Sequence, residues 1–287
     1  MVEVLQNSRR RGTQMWQLVK NEFERVVNDK LFYLAIMIGT AIMAVNIYYN
    51  VIGPSLILSM NVGKMNFMGN QIVNMYSAWL EMQQNQYGQL YYFVMPIVAA
   101  LPYTMTLYSD VKNKYVNQLF TRTKKKLYYT AKLIVQFVTG GTIAVVPQVA
   151  ALIISAMFLP CVAPQSSSSI YTFSELSVFG DFFYLYPLMY CIFQLIAQFV
   201  LFGLINLLAY VFSEILDNGF VVLIAPFAVY FLQFVICEMI GKASIRDNIT
   251  IVALHKSNAI WILENILIII FVIFLSYVYR IKRKDTL

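Results

Sequence analysis

Six long apolar runs limit how this chain can fold more than any other feature. They are Leu31–Val51, Leu90–Tyr108, Leu133–Leu159, Leu185–Phe212, Gly219–Ile240 and Ala259–Tyr279. About 20 apolar residues in a helix match the hydrocarbon core of a bilayer, roughly 30 Å thick. Backbone groups in lipid find no water, so each run must close its own hydrogen bonds as a helix. The runs are continuous rather than alternating, which excludes a barrel. The expected fold is therefore one all-α integral membrane domain over residues 1–287, with six transmembrane helices. Composition agrees: 60% of residues are apolar and 12% charged, against about 25% charged in a soluble domain. The third and fourth runs exceed the need, so tilt or extension beyond the lipid is expected.

Charge sets the orientation. The net charge of +7 reads as topology in a membrane chain, not as affinity for nucleic acid. The N-terminal tail, the 109–132 connection and the C-terminal tail hold 6, 7 and 4 Lys/Arg. Lys64, Lys242, Arg246 and Lys256 are the only four elsewhere. That bias puts both termini in the cytoplasm and the 52–89 and 160–184 loops outside. The connection "SEILDN" has no basic residue, so parity places it inside. Residues 13–30 read as an interfacial elbow helix running straight into the first span. Met15, Trp16, Val19, Phe23 and Val26 recur there at three- and four-residue steps. In "NQIVNMYSAWLEMQQ", Ile72, Tyr76, Trp79 and Leu80 share a face, which predicts an outer interfacial helix. "APQSSSSIYTF" reads as an exposed linker.

Little in the chain points to catalysis, and no enzyme activity is expected. The single His255 lies in a short outer connection and reads as a surface residue. Cys161, Cys191 and Cys237 lack metal-type spacing; Cys191 reads as a buried apolar residue, and a Cys161–Cys237 disulfide stays open. No cofactor or metal site is expected. Gly63-Lys64 and Gly241-Lys242 lack the upstream glycine and following hydroxyl of a phosphate loop. The N-terminus shows no apolar stretch ahead of a cleavage site. Charges within the spans are scarce. Glu238 lies near the outer end of the fifth, and Glu264 reads either as interfacial or as an outer-gate element. Amides are commoner: Gln136, Gln148, Gln194, Gln198, Asn206 and Gln233. Such groups either join helices or line a route. Gln194, Gln198, Asn206, Gln233 and Glu264 form the candidate substrate path. Gly140-Gly141 predicts close helix contact, and Pro96, Pro102, Pro147 and Pro226 predict kinks tolerated within the spans.

The 109–132 connection is longer than the roughly 2–8 residues usual between neighbouring helices. Within it Tyr115 and Leu119 share a helical stripe, followed by "TRTKKK" and "LYYTAKL". The lysines hold the loop inside; the apolar positions call for a partner there. This layout resembles the permease subunit of type-2 ABC exporters of Gram-positive bacteria. The likeness rests on the elbow, six spans, cytoplasmic termini and this loop: Asp110, Lys112 to Phe120, Thr121-Arg122-Thr123, Lys124 to Lys126, and Lys132. The preceding "FVMPIVAALPYTMTLYSD" resembles the second span of such permeases. The re-entrant segments that the family carries before the last span are not legible in Gly241–Asn258. The resemblance implies a plasma-membrane protein whose coupling helix docks on a separate cytoplasmic ATP-binding-cassette subunit. Its contact residues would be Asp110, Lys112, Lys114, Tyr115, Gln118, Leu119, Phe120 and Arg122. That subunit would bind ATP and magnesium, and a second permease, identical or related, would complete the path. The cargo would be an amphipathic peptide, lipid or drug-like molecule. A membrane-embedded immunity, sensor or scaffold protein is the alternative. A secondary transporter would show inverted repeats and midplane charges, which are not seen.

The charge bias generates a direct test. In a background without native cysteines, cysteines introduced at Gln14 and Arg122 stay unlabelled by impermeant maleimide in intact cells. One introduced at Ser167 labels. The opposite pattern contradicts the orientation.

Overall fold

The computed structural model describes residues 2–53, 55, 74–113, 120, 124–164, 180–242, 244–250 and 259–282. Among these residues the chain is helical and contains no strand. The helices are α1 (Val2–Val27), α2 (Lys30–Ile47, continued by a π turn, Tyr48–Ile52), α3 (Met75–Gln84) and α4 (Gln86–Lys112). There follow α5 (Lys125–Phe158), α6 (Gly180–Leu185), α7 (Pro187–Ile215), α8 (Gly219–Ile240), α9 (Ile245–Thr250) and α10 (Ala259–Lys282). Six of them, α2, α4, α5, α7, α8 and α10, are long and apolar enough to cross a membrane. The chain has the build of an all-α, multi-pass membrane protein.

The expected spans and the observed helices coincide closely. The fifth runs from Gly219 to Ile240 as read. The third begins at Lys125 instead of Leu133, so most of the basic turn is already helical. Helix α1 reaches back to Val2 rather than starting near residue 13. It does not run straight into α2, because Asn28-Asp29 breaks the helix and the Asp29 carboxylate accepts from Leu31 N at 3.0 Å. That is an N-cap, satisfying a donor that the start of α2 leaves without a partner. Of the α1 stripe, Val26 and Val19 pack with Tyr103, Val135 and Phe32, while Trp16 and Phe23 stay exposed.

Helices α5 and α7 form the centre, and the others pack around them. The crossing is close because glycine faces the partner at three positions. A Cβ on Gly140 would come 2.5 Å from Asn206 Cβ, and one on Gly141 2.7 Å from Phe199 O. One on Gly203 would meet the Phe137 ring at 2.7 Å. The close approach lets two amides bond each other's backbones. Gln136 Nε2 donates to Asn206 O at 2.8 Å, and Asn206 Nδ2 donates to Gln136 O at 2.9 Å. Small residues with interhelical amides hold helices together where the hydrophobic effect is absent.

Two short helices depart from expectation. Helix α3 does not lie on the surface. Tyr76, Trp79 and Leu80 are buried, and the helix packs against α4, α5 and α7; Ile72 lies outside the described residues. Burying a helix end is costly unless its carbonyls find donors. Asn46 supplies one from within α2, donating to Met82 O at 2.8 Å, while Asn85 Nδ2 donates to Asn46 Oδ1 at 2.8 Å. At the other end Asn74 caps the helix by accepting from Ser77 N at 2.8 Å. Trp79 Nε1 donates to Gln148 O at 3.1 Å. In the connection before the last span, α9 packs on α7 and α8, where the sequence shows no inserted element. The "QSSSSIYTF" segment and His255 lie outside the described residues.

Replacing Gly141 by Leu forces the Phe199 backbone outward. Overpacking of this kind costs about 1–3 kcal/mol. Thermal unfolding of the purified chain in detergent should show a clear drop in midpoint; an unchanged midpoint contradicts the close crossing.

Candidate functional site

The ends of α4, α7 and α10 and the starts of α5 and α8 meet at the end of the bundle that also carries α1. Tyr108 on α4 donates to the Asp217 carbonyl ahead of α8. Thr130 and Tyr277 share a hydrogen bond of 2.9 Å between α5 and α10. Two clusters of charge lie in this layer.

The first surrounds Lys132. This lysine sits one to two turns into α5, and its side chain is fully buried. Its Nζ donates to Asp110 Oδ2 and to Glu22 Oε2, both at 2.7 Å. Arg25 grips the other side of Asp110 with two parallel bonds of 3.0 Å. Tyr103 donates to Glu22 at 2.9 Å, and Tyr128 donates to Asp110 at 3.4 Å. The ammonium also lies over the Tyr103 and Tyr128 rings, 5.0 and 5.4 Å from their centroids. Two carboxylates therefore face two cations, drawn from α1, α4 and α5. Burial pulls the Arg25 guanidinium down, but Asp110 and Glu22 outweigh it and the net shift is upward.

The second cluster surrounds Arg280, which the sequence marks only as a basic tail residue. It is 5% exposed. Its Nε donates to Glu214 at 3.1 Å and its Nη2 to Ser213 Oγ at 2.9 Å and to Tyr210 O. Its plane lies 4.0 Å from the Tyr210 ring centroid. Helix α10 is thereby tied to α7.

The loop residues divide accordingly. The resemblance implies that Asp110 contacts the ATPase subunit; its carboxylate instead points inward and is occupied by Lys132 and Arg25. Lys112 is exposed and lies over the Tyr108 ring at 5.3 Å. Phe120 folds back on Tyr128 and Tyr129, with both ring centroids at 5.8 Å. Lys114, Tyr115, Gln118, Leu119 and Arg122 lie outside the described residues.

The residues of the candidate path are spread over three places. Gln194 and Gln198 converge on Gln83 of α3, each donating to its Oε1 at 3.2 Å. Gln198 also donates to Tyr92 OH at 2.9 Å, and Gln148 donates to the same hydroxyl at 3.2 Å. Asn206 is absorbed in the α5–α7 crossing. Gln233 joins α8 to α9 and α10, accepting from Ile245 N at 3.0 Å and donating to Asn265 Oδ1 at 3.2 Å. Glu264 is exposed on α10. Cys161, Cys191 and Cys237 are free thiols, so the open disulfide is not formed. Among the described residues no group of three His, Cys, Asp or Glu could hold a metal.

Glu22, Arg25, Asn46, Gln83 and Arg280 were not singled out from sequence. The legible signals were a polar Asn in the apolar run "MAVNIYYN" and a lysine followed directly by "LIVQFV". No family model, curated protein or solved structure matches this chain.

Removing one partner from a buried ion pair costs about 3–5 kcal/mol, because the other charge stays buried alone. Lys132→Met should lose about that much in equilibrium unfolding, with two carboxylates left facing one cation. Arg25 is 43% exposed, so Arg25→Met should cost no more than about 1 kcal/mol. Equal losses for the two contradict the assignment of Lys132 as the buried centre.

Proposed function

We propose that the chain is the membrane-spanning permease subunit of an ATP-driven exporter in a bacterial plasma membrane. A separate cytoplasmic ATP-binding-cassette subunit supplies hydrolysis, and a second permease, identical or related, completes the path. The observation that carries this reading is the Lys132 cluster. It sits where the 109–132 connection leaves α4 and enters α5. Any push on that connection passes through Asp110 to α5 by way of Lys132, and to α1 by way of Arg25. A loop that only held topology would need no such joint.

Asp110 then acts as the anchor of the loop rather than as its docking surface. Docking falls to Lys112, Lys114, Tyr115, Gln118, Leu119 and Arg122, while Phe120 packs back on Tyr128 and Tyr129. The exposed apolar faces of α8 and α10, which include Phe231, Leu232, Leu267 and Phe271, offer area to lipid and to the second permease. An amphipathic peptide, a lipid or a drug-like molecule suits apolar helices joined by amides. This chain performs no chemistry of its own in such a machine. It converts closure of the ATPase pair into helix movement.

The test is affinity purification of the full chain from its native membrane, with and without the double change Tyr115→Asp and Leu119→Asp. The expected result is co-purification of an ATP-hydrolysing subunit with the unaltered chain. The double variant inserts normally but loses both that subunit and export. An unaltered chain that purifies without any ATPase overturns the exporter reading and favours a scaffold or immunity protein. A double variant that retains ATPase and export overturns the assignment of the loop.

A further inference from the structure

Helix α3 is joined to α4 through one non-helical residue, Asn85, and lies in a groove between α4, α5 and α7. Every α3 residue except Glu81 and Gln84 is buried. A helix this short is marginal by itself in water, so the groove holds it in shape. Two polar side chains fix how it sits. Trp79 Nε1 donates to Gln148 O of α5 at 3.1 Å. Gln83 Oε1 accepts from Gln194 and Gln198 of α7, both at 3.2 Å. Residues four apart are neighbours on a helix surface. The groove therefore reads an indole donor and an amide acceptor one turn apart.

The fit is incomplete. Both bonds to Gln83 lie at the long end of the normal range. Among the described residues, Gln83 Nε2, Gln198 Oε1 and Gln148 Oε1 find no hydrogen-bond partner. These atoms belong to one layer, because Gln198 and Gln148 also donate to a single hydroxyl, Tyr92 OH. Most buried polar groups are paired. Each one left unpaired weakens the docked state against any arrangement that pairs it. The corner leaves no slack either. A Cβ on Gly88 would run into Met82 O and come 2.7 Å from Gln83 C.

We propose that α3 is a removable plug, and that the groove it fills is a binding site for an amphipathic helical peptide carrying an indole and an amide one turn apart. At rest α3 occupies Gln194 and Gln198; when it swings out about Asn85, both amides and Gln148 O are open to such a peptide. Attached through one residue, α3 acts at an effective concentration on the order of millimolar and outcompetes weak free peptides. Only the statement that the peptide is cargo rests on the exporter reading, which it narrows from lipids and drugs to peptides.

The test uses the purified full chain in nanodiscs, without native cysteines and with no ATPase present. Ala78→Cys reports on α3, and Ala209→Cys, buried toward the other end of α7, reports on the core. Maleimide should label the thiol at position 78 about tenfold or more faster than the one at 209. Gly88→Ala drives α3 from its corner without touching the groove. It should raise labelling at 78 about tenfold further and leave 209 unchanged. It should also bind a dye-labelled peptide of residues 74–85 about tenfold tighter than the unaltered chain does. The same peptide carrying Trp79→Phe and Gln83→Leu should lose that gain. Asn46→Ala, which removes the bond to Met82 O, replaces Gly88→Ala if that variant does not fold. Equal labelling at 78 and 209, or labelling at 78 that neither variant raises, overturns the plug. A peptide that binds no chain, or binds equally without its indole and amide, overturns the site. Absence of a co-purifying ATPase overturns the exporter reading and leaves these results unchanged.

Discussion

Lys132 has its ammonium fully buried at the entrance to an apolar helix. A charge moved out of water costs several kcal/mol even after relaxation, and only well-placed counter-charges offset it. Here those are Asp110 and Glu22, each at 2.7 Å. Asp110 ends the α4 span, and Glu22 belongs to α1. Satisfying one lysine therefore fixes where the second span ends, where the third begins, and how the N-terminal helix lies across them. Arg25 completes the arrangement from α1 and brings the four charges to neutrality.

The same rule, that polar groups out of reach of water must be paired, explains the opposite half of the bundle. Helix α3 can lie inside because Asn46 and Asn85 take up polar groups at its C-terminal end. Gln83 then stands at the meeting point of α3 and α7. The helix assembly thus has an ionic layer at one end and an amide layer near the other. Between them, α5 and α7 cross on glycines at van der Waals limits. Packed helices with no room between them shift as units rather than deform, so α5 and α7 form a rigid central pair.

Much of this was legible in residue order. Continuous apolar runs located the six helices that are long and apolar enough to cross a membrane, since lipid permits no other spanning form for them. Gly140-Gly141 announced the central crossing, and the scattered amides announced interhelical bonds. What was not legible depends on separation along the chain. Arg25 and Asp110 are 85 residues apart, and Glu22 and Lys132 are 110 apart. No local period connects them, and topology alone already accounts for each lysine and arginine. The inward turn of Asp110, which the resemblance makes a contact for the ATPase subunit, is not legible for the same reason: its partners Lys132 and Arg25 are 22 and 85 residues away. Helix α3 was misplaced because an amphipathic stripe looks the same whether it faces lipid or protein. The deciding residue, Asn46, lies in another helix.

The central claim is that Lys132 and Asp110 act as one buried unit, and a double-mutant cycle tests it most directly. Lys132→Met and Asp110→Leu are compared singly and together by reversible unfolding in detergent. The account predicts strong non-additivity, with the double variant less damaged than the sum of the single changes by about 2 kcal/mol or more. Costs that add within about 0.5 kcal/mol would show that the two residues do not depend on each other, and would contradict the account.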